Sequence, residues 1–292
     1  MADFDLLYGL SSIGLDDLQG ADLFEELTKK EKAVETVPVI PEEKDMIYEK
    51  KNLCPICDAE FLAKLPKAGK TRFLGTDKDL RPVYEGIDVQ KYDVLLCPKC
   101  GYAALTKFFP RVTPKQATAI RENISSKVRL HTYADDTYTY EEAIERYQLA
   151  LASAIVKKAK TSEKAYICLK NAWLLRGYAQ YLDEEKHLSR EQIEAVNQLQ
   201  KKFYQNAYRG FSEAIQSESY PICGMDEGTL DYLLAAVAIQ LDDYDSASRI
   251  VGNMLVSTTL NPRIKDKARD LKDEIAQKKK DMAKESTVMQ QK

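Results

Sequence analysis

The sequence predicts an α+β fold in two parts, a small β-rich metal-binding module followed by an all-α domain of helical hairpins. Three observations predict it. Two Cys-x-x-Cys pairs stand 39 residues apart within residues 51–112, a stretch punctuated by Pro and Gly and rich in strand formers. From about residue 115 onward, apolar residues recur at three- and four-residue spacing with few breakers, the period of a helix that buries one face. One pattern of alanine and a bulkier residue then returns three times along that helical half.

The chain has 292 residues, 44% hydrophobic and 30% charged, enough apolar material for a large core, and its length suggests two units. The net charge of −3 hides a segregation. Residues 1–50 hold 5 basic and 13 acidic side chains, residues 51–115 hold 12 and 7, and residues 116–292 hold 26 of each. Four thiolates around one Zn²⁺ would reduce the +5 of the middle segment to about +3. That is a weak basis for nucleic-acid binding, which normally shows a concentrated Lys/Arg stripe. The longest apolar run, Tyr232 to Ile239, is eight residues, against roughly 18–20 for a membrane span. The N-terminus carries Asp3 and Asp5 and lacks the basic start of a secretory signal, so a cytoplasmic location is expected.

Residues 1–50 form an acidic segment and linker, expected to be partly disordered. Leu6, Leu7, Leu10, Ile13, Leu15, Leu18, Leu23, Phe24 and Leu27 are spaced roughly as in a helix but interrupted by Gly9, Gly14 and Gly20. A charged run and Val37-Pro38-Val39-Ile40-Pro41 follow, read as an extended connection because proline disfavours helix in its predecessor. The segment is either a tail lying on its own domain or an amphipathic stretch that docks on a partner.

Within residues 51–112, Cys54-Pro55-Ile56-Cys57 and Cys97-Pro98-Lys99-Cys100 have the spacing of metal knuckles. Two residues between cysteines let a tight turn aim both sulfurs at one ion, and two such turns complete a tetrahedral shell. Gly101 permits a left-handed backbone after the second pair; Asp58 occupies the same place in the first and is less suited. The 39-residue gap exceeds the common 15–20 and implies a strand-bearing insertion in a zinc-ribbon-like module. Disulfides are disfavoured in a cytosolic chain, and a thioredoxin-like dithiol would need a βαβ pattern that is missing. An iron–sulfur cluster is compatible with the same spacing. The expected cofactor is structural Zn²⁺ on Cys54, Cys57, Cys97 and Cys100, a closed set in which metal binding and folding are coupled.

Between the pairs, Arg72, Asp77, Asp79 and Arg81 form a possible polar cluster, read either as a ligand site or as a turn with solvated charges. Cys168 lies in an apolar helical stretch, where a buried thiol is expected; Cys223 lies in a Pro/Gly loop. His131 and His187 have no neighbouring nucleophile or second histidine at ligand spacing, and no phosphate loop or hydrolase elbow occurs. No catalytic residues are assigned.

In residues 113–285 helices are expected from Thr113-Pro114 to about 130, then over 139–159, 162–184, 189–217, 226–241, 243–257 and 262–284, with 286–292 a disordered tail. Ala143, Tyr147 and Ala150 recur as Ala207, Phe211 and Ala214 and as Ala247, Val251 and Met254. A small residue admits a neighbouring helix and the larger one fills the groove beside it, the logic of a tetratricopeptide-like hairpin. The intervals are 64 and 40 residues instead of about 34, so the repeats are extended. Tyr166, Trp173, Tyr178 and Tyr181 are candidates to line a partner-binding groove, or else pack between helices.

Together, Cys54-Pro55-Ile56-Cys57, Asp77-Lys78-Asp79-Leu80-Arg81-Pro82-Val83-Tyr84, Tyr92-Asp93-Val94, Cys97-Pro98-Lys99-Cys100-Gly101-Tyr102-Ala103-Ala104 and Pro221-Ile222-Cys223-Gly224-Met225-Asp226-Glu227 resemble the bacterial domain of unknown function 2225 family over about residues 50–280. The resemblance implies a cytosolic protein of anaerobic Gram-positive bacteria with a zinc-ribbon-like front and tetratricopeptide-like helices, and no assigned activity. The expected function is a non-enzymatic zinc-stabilised scaffold binding a protein or peptide. Its rivals are nucleic-acid binding through Lys64, Lys67, Lys70, Arg72, Lys99 and Lys107, and a redox or other enzyme using the cysteine pairs.

Overall fold

Among the described residues, three antiparallel hairpins precede seven α-helices, the α+β order expected. The structure is a computed structural model and describes residues 41–131, 133, 135–184 and 190–290. The chain divides into two units, Met1–Val39 and Ile40–Lys292. The first, and with it most of the acidic segment 1–50, lies outside the described residues.

The first strand opens before residue 51. After a 3-10 turn at Glu43–Met46, β1 (Ile47–Leu53) pairs with β2 (Glu60–Pro66) from Ile47↔Pro66 to Leu53↔Glu60. Glu49, Lys50 and Lys51 look like linker in sequence because this ribbon exposes most of β1. A second hairpin joins β3 (Phe73–Thr76) to β4 (Pro82–Tyr84). A third joins β5 (Val94–Leu96) to β6 (Ala103–Leu105), with Leu96↔Ala103 closing it. Each cysteine pair is therefore the turn of a hairpin.

The helices are α1 (Pro114–Ile120), α2 (Tyr140–Val156), α3 (Thr161–Glu184), α4 (Arg190–Ser217), α5 (Glu227–Gln240), α6 (Tyr244–Val256) and α7 (Pro262–Gln290). Thr113 caps α1 in a capping box with Gln116, and Thr139, Asp226 and Asp243 cap α2, α5 and α6 through side-chain oxygens. Two boundaries differ from expectation. The first helix does not reach 130: it passes into a π turn at Arg121–Ser125, after which the chain turns Val128 in under Gly101. The last helix continues through residues 286–290, expected as tail, because no Gly or Pro follows Pro262.

All nine residues of the recurring pattern are buried, with Ala143, Tyr147, Ala207, Ala214 and Ala247 at 0% exposure. Burying a side chain the size of Phe211 contributes roughly 1.5–3 kcal/mol. The alanines let helices approach: α3 and α4 run antiparallel, with Ser162 bonded to Glu218 and Arg176 to Tyr204. At Gly210 an added Cβ would lie 2.8 Å from the Ala165 Cβ. Tyr147 and Ala150 pack with Val94, Ala103 and Leu105, so α2 closes directly on the third hairpin. Leu80, between β3 and β4, packs against both the α3–α5 core and the α5–α7 core.

Candidate metal centre

The two knuckles are built alike. Cys54 N–H donates to Ala59 O and Asp58 N–H to Cys54 O, while Cys97 N–H donates to Tyr102 O and Gly101 N–H to Cys97 O, all at 2.9–3.0 Å. Asp58 and Gly101 occupy equivalent left-handed positions, with φ of 54° and 73°. Asp enters this region more readily than most non-glycine residues, so the departure at Asp58 leaves the turn intact. Gly101 is more constrained, because a Cβ there would lie 2.5 Å from Val128 Cγ1. The Arg121 Nε–H reaches the other knuckle and donates to Ile56 O at 2.8 Å.

These turns bring the four predicted sulfurs within 4.8 Å of one another. Cys54 and Cys100 are 3.6 Å apart at Sγ, and Cys57 and Cys97 are 3.7 Å apart. Such separations are too long for disulfides, at ~2.05 Å, but suit a tetrahedron of Zn–S bonds near 2.3 Å, whose edge is about 3.8 Å. Cys54 and Cys97 are fully buried, and Ile56, Phe61, Leu95, Tyr102 and Phe109 pack around the set. As bare thiols Cys54, Cys97 and Cys100 compete. Hydrogen bonds from Cys100 and Cys54 draw Cys97 down to about 2, while hydrogen bonds with Cys54 and Cys97 push Cys100 up. A dication allows all four to be thiolates together. The set could hold a metal ion, and its donors fit zinc.

The possible polar cluster comes together only in part, and through residues that the sequence pattern does not mark. Arg72 stays at the surface, 3.5 Å from Glu85. Asp79 is buried and takes Arg176 on both oxygens at 3.1 and 2.8 Å, the Trp173 indole N–H at 2.9 Å and the Tyr204 hydroxyl. Asp77 lies 2.9 Å from Arg176 and 3.7 Å from Arg81, whose other nitrogen is 3.4 Å from Asp88. Burial, then the Asp79 carboxylate, pushes the Tyr204 phenol above its ordinary value. The β3–β4 tip is thus pinned between helices and is not a solvated turn. No local signal points to Arg176, Tyr204 or Asp88, which lie 97, 125 and 9 residues from Asp79.

The four candidate partner-binding aromatics separate. Trp173 is buried with its indole on Asp79, and Tyr166 is half-buried, edge-on to Phe108. Tyr178 and Tyr181 instead flank Tyr140, at ring-centroid distances of 5.3 and 5.4 Å. These three line a cleft of about 810 Å³ with Glu43, Asp88 and Lys91. Cys168 is buried, Cys223 Sγ donates to Ser162 O, and burial pushes both thiols up to about 11. His131 lies 2.8 Å from Glu145, and His187 is outside the described residues.

Among the described residues no helix is long and apolar enough to cross a membrane. No curated protein and no solved structure matches the chain. The resemblance expected over about 50–280 is met by a match at residues 47–275 to the family described as uncharacterized protein conserved in bacteria (DUF2225), which spans both knuckles, the Asp79 loop and the helices as far as α7, and the chain belongs to that family.

Proposed function

We propose that this protein is a non-enzymatic, zinc-stabilised scaffold whose tetratricopeptide-like helices bind a protein or peptide. The supporting observation is the cleft where the N-terminus of α2 meets the C-terminal half of α3, walled by Tyr140, Tyr178 and Tyr181. Concave sites with aromatic walls and a few fixed polar groups are the usual form of a binding pocket, and tyrosine supplies large contact area at low cost in side-chain entropy. Four sulfurs leave a tetrahedral zinc no open position, so the metal's role in this reading is to fasten the two knuckles. The rigid front then supplies Asp88, Lys91 and Glu43 to the cleft floor.

The nucleic-acid reading draws less support. Of its six basic residues, Lys64 and Lys67 bond the carbonyls of Asp135 and Asp45, Lys107 bonds that of Cys223, and Arg72 faces Glu85. A peptide array probed with the purified zinc-bound chain tests the scaffold. A discrete set of peptides should bind and be lost in Tyr181→Ala, with melting temperature and zinc content unchanged. An empty array, or binding indifferent to Tyr181, would count against it.

A further inference from the structure

Among the described residues, the last two helices leave an apolar face uncovered. Tyr244, Ala247, Val251 and Met254 turn one stripe of α6 into the core it shares with α5 and α7. The next stripe of α6 faces outward. Gly252, Leu255 and Val256, with Ile275 and Ala276 of α7, wall a groove of about 490 Å³. Val256 is 78% exposed, and a Cβ added at Gly252 would meet nothing within 4 Å. The Ser248 hydroxyl, on the same stripe, already donates to Tyr244 O at 2.6 Å and needs no outside partner. The last pair in a stack of helical hairpins normally presents a polar outer face, whereas an exposed apolar strip rimmed by charge marks an interaction site. A glycine in the strip admits another helix closely, as Gly210 of α4 does beside Ala165 of α3.

The charge along α7 says what kind of helix that is. At about 100° per residue, Lys272, Ile275, Ala276 and Lys279 share one direction, toward the groove. Lys265 and Arg269 lie within about 70° of that direction. The acids Asp266, Asp270, Asp273, Glu274 and Asp281 all point more than about 100° away. Three of the four cations are engaged: Lys265 with Ser257 O, Arg269 with Asp266 and Lys279 with Asp245 of α6. Lys272 is exposed and has no acidic partner among the described residues. The groove therefore has an apolar floor, a smooth α6 wall and a basic α7 wall.

We infer that the α6–α7 groove docks an amphipathic helix of a partner protein, its apolar stripe on Gly252, Leu255, Val256 and Ile275 and a flank of Asp or Glu along Lys272 and Lys279. Helix-in-groove recognition reads apolar anchors at i, i+3, i+4 and i+7. The 13 residues of α6 offer about 20 Å for it at 1.5 Å per residue. The inference goes beyond the reading of the α2–α3 cleft and uses none of its residues.

The test is fluorescence anisotropy with the full zinc-bound chain and labelled, acetylated and amidated peptides of about 18 residues, long enough for helix to form alone. One peptide carries Leu at helical spacing flanked by Glu, one has Lys in place of Glu, and one is a scramble of the first. The Glu peptide should bind at least about fivefold more tightly than the Lys peptide and weaken as salt is raised. The scramble should not bind. Gly252→Glu places a carboxylate in open space, so the melting temperature should hold or rise, while affinity for the Glu peptide falls at least about tenfold. Lys272→Glu should bring the two leucine peptides within about twofold of each other. Tyr181→Ala should change nothing here, which separates this groove from the cleft. Failure of every peptide, equal binding of the scramble, or affinity indifferent to both groove variants would overturn the inference and leave the cleft reading standing. A dimer of the chain alone in sedimentation, dissolved by Gly252→Glu, would assign the groove to a second copy and overturn the partner.

Discussion

The sulfur set and the Asp79 network are two buried polar centres held in opposite ways. Cys54, Cys57, Cys97 and Cys100 come from two hairpin turns of the same construction, and each turn is specified by its own neighbours. Asp79 is held by Trp173, Arg176 and Tyr204, all about a hundred residues away in sequence and on two different helices. The first centre gathers four like groups that an external ion could hold together; the second is complete within the chain. Metal removal should therefore act first on the front hairpins, and loss of Asp79 on their attachment to α3 and α4.

The largest effect is expected at the sulfurs. Apparent zinc-binding energies of roughly 10–16 kcal/mol in small zinc domains are also folding energy. Cys97→Ser, or treatment with a strong chelator, should release the metal and collapse the near-ultraviolet signal of Tyr102 and its neighbours. Helical far-ultraviolet ellipticity from α3 to α7 should largely persist. Full retention of front-half protection in hydrogen exchange after chelation would erase the contrast between the two centres.

Next comes Asp79→Ala, which leaves the Arg176 guanidinium without its main partner inside the protein. Breaking a buried charge pair typically costs about 3–5 kcal/mol, readable as a lower urea midpoint at unchanged zinc content. Asp79→Asn should cost less, since an amide oxygen still accepts from Trp173 or Tyr204. A surface-like loss of under about 0.5 kcal/mol for the alanine variant would mean that the tip is not pinned.

At Gly101 the two constraints can be separated. Gly101→Ala should destabilise by about 1–3 kcal/mol through the left-handed backbone and the contact with Val128. Adding Val128→Ala should recover the steric part and leave the backbone part, so a double variant no more stable than the single one would place the whole effect in φ.

The smallest effect concerns Asp88, whose carboxyl is held above the ordinary Asp value of 3.8 by burial, against the pull of Arg81, the Gln90 N–H, Tyr140 and Lys91. The folded state then binds this proton more tightly than the unfolded chain. Its contribution to stability is full below the unfolded value and is lost as pH rises through the higher folded one. Asp88→Asn should flatten that decline relative to wild type, in denaturant titrations taken at several pH values from 3.8 upward. An unchanged slope would put the proton elsewhere.

The sulfur set, the helices after residue 139 and the buried alanine pattern were legible in the sequence because each depends on spacing within a turn or a helix face. Ala143, Tyr147 and Ala150 share one face of α2, and periodicity alone brings them inward. Strand β1 was not legible, since Glu49, Lys50 and Lys51 face solvent on a ribbon and carry no alternating pattern. Asp79 was visible as a polar residue but its burial was not. The donors that make burial tolerable come from α3 and α4, a pairing set by tertiary packing. From helical spacing Tyr178 and Tyr181 read more readily as core than as groove, and the difference lies in Tyr140, which arrives from another helix.

The most direct test is the metal itself. Elemental analysis of the purified full chain, joined to X-ray absorption at the metal edge, should give one zinc per chain with four sulfur neighbours near 2.3 Å. Less than half a metal per chain after purification without chelators, iron in place of zinc, or a shell containing oxygen would contradict a closed four-sulfur zinc centre.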